Sequence, residues 1–187
     1  MKRITLAIIF LIPIFFIGCS HNKSQQNTNQ TKKQTVQEEK KGPQTIKLHA
    51  VNAQEVVLTK DNDNIKIKGI EGKVILLDFF ATWCPPCKAE IPHLVNLQKK
   101  YKDKLVIISV LLEGDKPDNE IKSFIKYHGI NYIVTNDKNN FKLSNMLGGV
   151  KNIPYMILYD KNGNLITHYL GAIPEEMINS DIQKAVK

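Results

Sequence analysis

The feature that most constrains this chain is an apolar segment that leads directly into two closely spaced cysteines. Val74 to Phe80 is apolar or aromatic at every position except Asp78, and the sequence continues ATWCPPC into a helix-forming stretch. A continuous apolar run of this length is typical of a strand that is buried on both faces of a helix-covered sheet. The order therefore predicts a strand, a turn that carries Cys84 and Cys87, and a helix.

Cys84 is the expected reactive sulfur of the pair. It would lie at the helix N-terminus, where unpaired backbone N–H groups and the positive end of the helix dipole favour a thiolate. A thiolate is the attacking species in disulfide exchange, and Cys-x-x-Cys sequences lower the thiol pKa. Pro85 and Pro86 suit the first helical turn, where a missing N–H costs nothing. Cys87 is expected to be more buried and to resolve the mixed disulfide that Cys84 forms.

Two other roles for a cysteine pair fit the sequence less well. A structural zinc site needs four ligands, but the only further cysteine is Cys19 and the five histidines show no paired spacing. An inert structural disulfide between residues this close in sequence would constrain little chain entropy. We therefore expect a redox pair that uses no metal and no cofactor.

The segment FFATWCPPCKAEIP resembles the thioredoxin superfamily, and more narrowly the TlpA/ResA-type thiol–disulfide proteins of the bacterial envelope. Trp83 before the pair, Glu90 three residues after it and Pro92 five residues after it match that family. The resemblance extends roughly from Thr45 to the C-terminus. It implies an α/β thioredoxin fold, in which helices flank a central mixed β-sheet, with an N-terminal β-hairpin extension and a βα insertion.

Two acidic residues are candidates for handling the proton of Cys87. Asp78 matches the buried acid of thioredoxins, and desolvation in an apolar strand should raise its pKa and fit it for proton transfer. Alternatively, Asp78 bonds a neighbouring backbone group or lysine and only supports the structure. Glu90, about one helical turn past Cys87, could take the same role. The sequence leaves open which acid serves the cysteines.

A surface for substrate proteins is expected around the pair. The resemblance places a cis-proline beside the cysteines, which here is Pro154. A cis bond would expose the backbone of Ile153 for pairing with an extended substrate segment. Trp83 either shields the disulfide and contacts the partner or is a packing aromatic. The expected substrate-binding residues are Trp83, Pro85, Pro86, Ile153 and Pro154.

The N-terminal residues predict a targeting segment. Residues 1–18 combine Lys2 and Arg3 with an apolar run, as a signal peptide does. The Gly-Cys sequence that follows resembles a bacterial lipobox, which implies that Cys19 becomes the lipidated N-terminus. An uncleaved signal anchor is the alternative, although the apolar run is shorter than the ~20 residues that a transmembrane helix needs.

A polar tether and one folded domain account for the rest of the chain. Residues 19–43 are rich in Gln, Asn, Thr, Ser and Lys, so they cannot bury enough surface to fold and should be flexible. Residues 44–187 form the thioredoxin-like domain. The net charge of +8 includes five Lys and two Glu in the tether and two charges in the leader. Because no basic cluster is interleaved with aromatics, nucleic-acid binding is not expected.

Hydrophobic periodicity and turn residues predict the elements of the domain. Val56–Thr59 and Ile65–Lys68 read as a hairpin, and the closing helix should bury Met177 with Ile178. The other predicted strands span residues 46–50, 105–112, 131–134, 156–159 and 165–170, and the predicted helices span residues 85–101, 118–128, 141–147 and 174–186.

The predicted function is thiol–disulfide exchange with protein partners through Cys84 and Cys87. The resemblance favours the reductive direction, including electron supply to apocytochrome c, with recharging by a membrane thiol reductase of the DsbD/CcdA type. The domain is expected in the extracytoplasmic space, where disulfides persist. One alternative is a DsbA-like oxidase, for whose large helical insertion the 112–131 segment is too small. The other is a lipoprotein binding module with an incidental cysteine pair.

Overall fold

The structure is a computed structural model that describes residues 42–114 and 116–187. The predicted targeting segment, the lipidated cysteine and nearly all of the tether lie outside these residues. The described chain forms two β-sheets and four helices. In chain order they are β1 Gln44–His49, β2 Glu55–Asp61, β3 Asn64–Ile67, β4 Val74–Phe80, α1 Pro85–Lys100, β5 Leu105–Leu111, α2 Asp118–His128, β6 Ile133–Thr135, α3 Asn139–Met146, β7 Tyr155–Tyr159, β8 Leu165–Leu170 and α4 Glu175–Ala185.

The central sheet has five strands in the order β6-β5-β4-β7-β8. Strands β4, β5 and β6 are parallel, whereas β7 runs antiparallel to β4 and β8 antiparallel to β7. Strand β4 is buried at all seven positions because it lies in the middle of the sheet with both faces covered. The predicted mixed sheet is therefore confirmed, and β6 with α3 supplies the predicted βα insertion.

The two faces of β4 bury different sets of side chains. Leu77 and Phe79 pack with residues of the N-terminal strands and α3. Leu76 packs on the opposite face with Leu94 and Leu97 of α1 and with two isoleucines of α4. Because side chains alternate along a strand, Asp78 shares the face of Leu76 and is directed toward α1.

The N-terminal extension is a three-stranded antiparallel sheet, because β1 pairs with the predicted hairpin of β2 and β3. The chain after β1 continues along the edge of β6, where Val51 N–H donates to the carbonyl of Val134 at 2.9 Å. The other end of the extension meets the β7–β8 turn, where Ile65 N–H donates to the Gly163 carbonyl at 2.9 Å. These contacts attach the extension to the central sheet and cover the edge of β6.

Four element boundaries differ from the structure by two residues, and one burial prediction is wrong. Strand β1 and helix α3 begin two residues earlier than predicted, β2 ends two residues later, and β6 begins two residues later. In α4, Met177 is 55% exposed, whereas Ile178 and Ile182 are fully buried. Consecutive helical positions are about 100° apart, so Met177 cannot share the buried stripe that Ile178 and Ile182 form at a spacing of four.

Replacing Gly163 with alanine should destabilise the domain. Gly163 has φ +83°, and a Cβ atom there would lie 1.8 Å from the carbonyl oxygen of Ile65. The loss in unfolding free energy should exceed the ~1–2 kcal/mol that a left-handed conformation alone costs a residue with a side chain. Gly72→Ala is the matched control, because Gly72 has φ +78° and no atom within 4 Å of the added Cβ. Urea denaturation measures both variants, and equal losses would contradict the steric explanation.

Candidate active site

The turn after β4 delivers the cysteine pair to the first turn of α1. Cys84 is the N-cap residue of α1, with extended backbone angles, and Pro85 and Pro86 occupy the first helical positions. Cys84 and Cys87 are joined by a disulfide. The Cys87 N–H points at the Cys84 sulfur at 3.3 Å, so a reduced Cys84 in this position would have a helix N–H as a hydrogen-bond donor to its thiolate.

Both sulfur-bearing residues are buried, with Cys84 3% and Cys87 4% exposed. The prediction that Cys87 would be the more buried of the two is therefore wrong. Both cysteines belong to one apolar cluster that includes Phe80, Leu111 and Val134, so the side chains of the neighbouring strands cover Cys84 as well as Cys87.

The residues exposed beside the disulfide are Trp83, Pro85 and Pro86. Trp83 is 66% exposed, which excludes the interpretation of this side chain as a packing aromatic. Since the sulfurs themselves are covered, a protein that approaches the disulfide meets these three side chains first.

The loop before β7 approaches the disulfide from another direction. The Ile153–Pro154 peptide bond is cis, and Pro154 is buried. Ile153 is half-buried and packs against the apolar cluster that contains Cys84 and Cys87. The Pro154 carbonyl accepts a hydrogen bond from Gly171 N–H at 2.9 Å, which ties this loop to the segment between β8 and α4.

Asp78 is buried in β4 beside a single hydroxyl donor. The Ser109 hydroxyl, which lies in register on β5, donates to Asp78 Oδ2 at 2.5 Å. Burial raises the pKa of Asp78 to about 7, and the hydrogen bond from Ser109 opposes this shift without cancelling it. The hydrogen-bond partner is thus a hydroxyl, and not the backbone group or lysine that the structural alternative supposed.

Glu90 lies one turn after Cys87 on the buried stripe of α1. Its Oε1 atom accepts a hydrogen bond from the backbone N–H of Ile173 at 3.1 Å, and its Oε2 atom has no hydrogen-bond partner among the described residues. Burial raises the pKa of Glu90 to about 7, and the nearby charge of Asp78 adds to that rise. The fold therefore brings the two candidate acids close enough for their titrations to be coupled.

Ser109, Tyr132 and the backbone of Ile173 complete the surroundings of these acids, and none was identified from sequence. Burial and the charge of Asp78 raise the pKa of Tyr132, while a hydrogen bond with Ser109 lowers it, so the phenol stays neutral. Ser109 could have been noticed as the lone hydroxyl in the apolar run LVIISVLL. Nothing in the sequence points to the Ile173 N–H, because any residue supplies that donor.

A cavity of about 430 Å³ opens beside Glu90 between α1 and the start of α4. Its lining includes Glu90, His93, Ile173, Glu175 and Glu176. The Nδ1 atom of His93 is buried and has no hydrogen-bond partner in the described part of the chain. The space can hold several waters, which gives the buried carboxyl of Glu90 a path for proton exchange with solvent.

Within 42–114 and 116–187, no three His, Cys, Asp or Glu side chains are grouped so that they could hold a metal ion. In the same ranges, none of the helices has the length and apolarity that crossing a membrane requires.

Comparisons with known proteins agree with this geometry. The family model described as Redoxin matches residues 28–186. The thiol-disulfide oxidoreductase ResA of Bacillus thuringiensis is 32% identical over 129 residues, which are 69% of this chain and 73% of that protein. Among solved structures, a thioredoxin-family thiol:disulfide interchange protein of Chlorobium tepidum superposes with a TM-score of 0.60 at 25% identity, covering 78% of this chain and 95% of its own.

A second solved structure shares the fold at lower identity. The exposed lipoprotein thioredoxin Etrx1 of Streptococcus pneumoniae has a TM-score of 0.59 at 24% identity, covering 75% of this chain and 99% of its own. The thioredoxin fold and the buried Cys84–Cys87 disulfide at a helix N-terminus define a thiol–disulfide oxidoreductase. The chain belongs to the Redoxin family and is a TlpA/ResA-type member of the thioredoxin superfamily.

Replacing Asp78 with asparagine should stabilise the oxidised protein at pH 8 and much less at pH 4. Below pH ~4 the carboxyl is protonated in both the folded and unfolded states, so its burial has no charge cost. Between pH ~4 and ~7 the unfolded state ionises while the folded state stays protonated, so the stability of the wild type falls as pH rises. The change in pKa from 3.8 to about 7 corresponds to at most about 4 kcal/mol.

Chemical denaturation at both pH values measures this difference. Asp103→Asn is the matched control, because Asp103 is an exposed acid in the turn after α1 and its replacement should change stability equally at both pH values. If Asp78→Asn behaved like this control, the carboxylate of Asp78 would not carry the expected charge cost.

Proposed function

We propose that this domain is a reductant of protein disulfides in the bacterial cell envelope. The observation that carries the direction is the environment of the dithiol, since both sulfurs are buried and two buried carboxyls lie on the adjoining face of α1 and β4. Burial and the neighbouring carboxyls disfavour a thiolate at Cys87, whereas the Cys87 N–H favours one at Cys84. A strongly oxidising pair depends on a stabilised reduced form, so this environment favours the disulfide and makes the dithiol an electron donor.

Cys84 is the attacking residue in this proposal. Its thiolate forms a bond to one sulfur of the substrate disulfide, and the other substrate sulfur leaves and takes up a proton. Cys87 then loses its proton and attacks the Cys84 sulfur, which releases the second substrate sulfur as a thiol after protonation. The two electrons of the dithiol are thereby transferred to the substrate, and the Cys84–Cys87 disulfide is the product.

Asp78 and Glu90 manage the proton of Cys87. A group whose pKa lies near the working pH can both accept and return a proton, and the pKa values of both carboxyls are raised to about 7. Asp78 reaches this range through burial beside Ser109, and Glu90 through burial beside Asp78. Either carboxylate can accept the proton of the Cys87 thiol in the resolving step, which leaves Cys87 as the attacking thiolate.

The substrate segment lies between two sides of the disulfide. The exposed residues Trp83, Pro85 and Pro86 form one side, and the loop of the half-buried Ile153 and the buried Pro154 forms the other. An extended segment that pairs with the backbone of Ile153 would be held by main-chain hydrogen bonds, so the site would tolerate varied substrate sequences. No cofactor takes part, because the thiols themselves carry the electrons.

Apocytochrome c is the substrate that the relationship to ResA-type proteins favours, and a membrane thiol reductase of the DsbD/CcdA type is the electron donor. Lipidation at Cys19 would hold the domain at a membrane, facing the periplasm or another extracytoplasmic space. The similarity to the exposed lipoprotein thioredoxin of Streptococcus pneumoniae supports this arrangement. A segment of about 25 residues would have a reach of roughly 25–30 Å if it behaved as a random coil, which suits exchange with membrane-bound partners.

The reduction potential of the full chain tests the direction. Equilibration against a series of dithiol buffers should give a value near that of thioredoxin, roughly −270 mV. A value near −120 mV would identify a DsbA-like oxidant instead. Absence of any reversible couple would leave the binding module as the remaining interpretation.

Two single serine variants test the order of attack. Cys87→Ser should accumulate mixed disulfides with substrate proteins, because Cys84 attacks but nothing resolves the product. Cys84→Ser should trap none, because the residue that attacks first is absent. Non-reducing electrophoresis of cells that express each variant provides the comparison, and trapping by Cys84→Ser but not by Cys87→Ser would reverse the assigned roles.

A further inference from the structure

Glu113 lies just beyond the end of β5, and its carboxylate reaches the turn that precedes the cysteine pair. Its side chain is only 4% exposed. The Oε1 atom accepts hydrogen bonds from both the backbone N–H and the hydroxyl of Thr82, the latter at 2.7 Å. Thr82 is two residues before Cys84, so the buried carboxylate of Glu113 binds the segment that leads to the reactive cysteine.

The sheet brings these residues together. Strands β4 and β5 are adjacent and parallel, and one residue after the end of β5 the Leu112 N–H still donates to the carbonyl of Phe80, the last residue of β4, at 2.9 Å. Within the turn, Cys84 N–H donates to the Ala81 carbonyl at 3.1 Å. Glu113 supplies the acceptor for the Thr82 N–H. The short segment between β4 and α1 is therefore held both by the side chain of Glu113 and by the hydrogen bond within the turn.

The ammonium group of Lys116 compensates the charge of the Glu113 carboxylate from the side of Oε2. The Oε2 atom of Glu113 makes no hydrogen bond within the described residues, but the Lys116 ammonium lies 3.8 Å away. Lys116 also lies 3.4 Å from the carboxylate of Glu120, which is exposed. Lys116 therefore neutralises Glu113 without competing for Oε1, the atom that binds Thr82.

We infer that Glu113 is a positioning residue for the dithiol, acting through Thr82. By fixing both donors of Thr82, it keeps Trp83 directed outward and holds Cys84 at the N-cap of α1. Without that acceptor, the partly buried Thr82 N–H would lose its partner and the turn would have to rearrange to satisfy it. Cys84 would then spend less time where the Cys87 N–H meets its sulfur. This inference rests on the proposed attack by Cys84.

Three variants separate the hydrogen bonds from the charge. Glu113→Ala removes both, whereas Glu113→Gln keeps a carbonyl oxygen that can accept from Thr82 and removes only the charge. Thr82→Val removes the hydroxyl donor, keeps the backbone donor and preserves the side-chain shape. Glu120→Ala is the matched control, because it removes the other carboxylate beside Lys116 without touching Thr82.

Two readouts report on the turn in the reduced full-length chain. The first is the rate constant for alkylation by iodoacetamide, assigned to Cys84 by fragment-ion mass spectrometry of the peptide that also contains Cys87. The second is the fluorescence anisotropy of Trp83, which is the only tryptophan of the chain. Circular dichroism establishes that each variant is folded. A role in stability alone would move neither readout in a folded variant.

We expect the reactivity of Cys84 to fall in proportion to the number of hydrogen bonds between Glu113 and Thr82 that a variant removes. Glu113→Ala should lower the alkylation rate constant by at least about fivefold, as the loss of a hydrogen-bond acceptor implies, and should lower the anisotropy of Trp83. Thr82→Val should show a smaller change in the same direction. Glu113→Gln and Glu120→Ala should remain within about twofold of wild type, since both keep an acceptor for Thr82.

Unchanged alkylation and anisotropy in folded Glu113→Ala would overturn the inference. An alkylation rate constant for Glu113→Gln that is as low as that for Glu113→Ala would also overturn it, because the charge would then be responsible. If Glu113→Ala does not fold, the comparison of Thr82→Val with Glu113→Gln decides between the same two outcomes. The serine variants of the cysteines separate the two proposals. If they show that Cys84 does not attack, the proposed mechanism fails, whatever Trp83 reports about the turn.

Discussion

The site depends on a carboxyl group buried in the central strand of the sheet. Strand β4 is covered on both faces, so Asp78 is buried, and within the described part of the chain its side chain accepts a hydrogen bond from Ser109. In that environment the charged form is disfavoured. The apolar packing that stabilises the sheet therefore also brings the pKa of this group into the range in which thiols exchange protons.

Topology explains why the functional groups meet at one edge. Strands β4 and β5 are parallel, so the turn that carries Cys84 and the loop that carries Glu113 emerge side by side. Strand β7 is antiparallel to β4, so its first residue pairs with Phe79 and Pro154 lies at this same edge. Three segments that are distant in sequence thus converge. In the proposed mechanism they contribute the reactive sulfur of Cys84, the carboxylate that fixes its turn, and the surface that an extended partner would meet.

The parts that could be predicted from sequence are those that local patterns determine. The apolar run of β4, the prolines at the start of α1 and the glycine that ends α2 each act within a few residues, and those element positions agree with the structure. The burial of Cys84 depends on Leu111 and Val134, and the contact between Glu90 and Ile173 spans 83 residues. Local sequence patterns do not predict contacts between residues so far apart. The hydrogen bonds between Glu113 and Thr82, which span 31 residues, could not be predicted for the same reason.

Asp78 and Glu90 interact electrostatically, so their roles toward the cysteines cannot be assigned to one carboxyl alone. Ionising one buried carboxyl raises the pKa of the other, so the protons belong to the pair and the first and second ionisations are spread apart. The titration of such a pair passes through a state that holds one proton between the two carboxyls. In the proposed mechanism that state can both accept the proton of Cys87 and return it. Glu90 adjoins the cavity and Asp78 is enclosed, so exchange with solvent would pass through Glu90 whichever carboxyl faces the thiol.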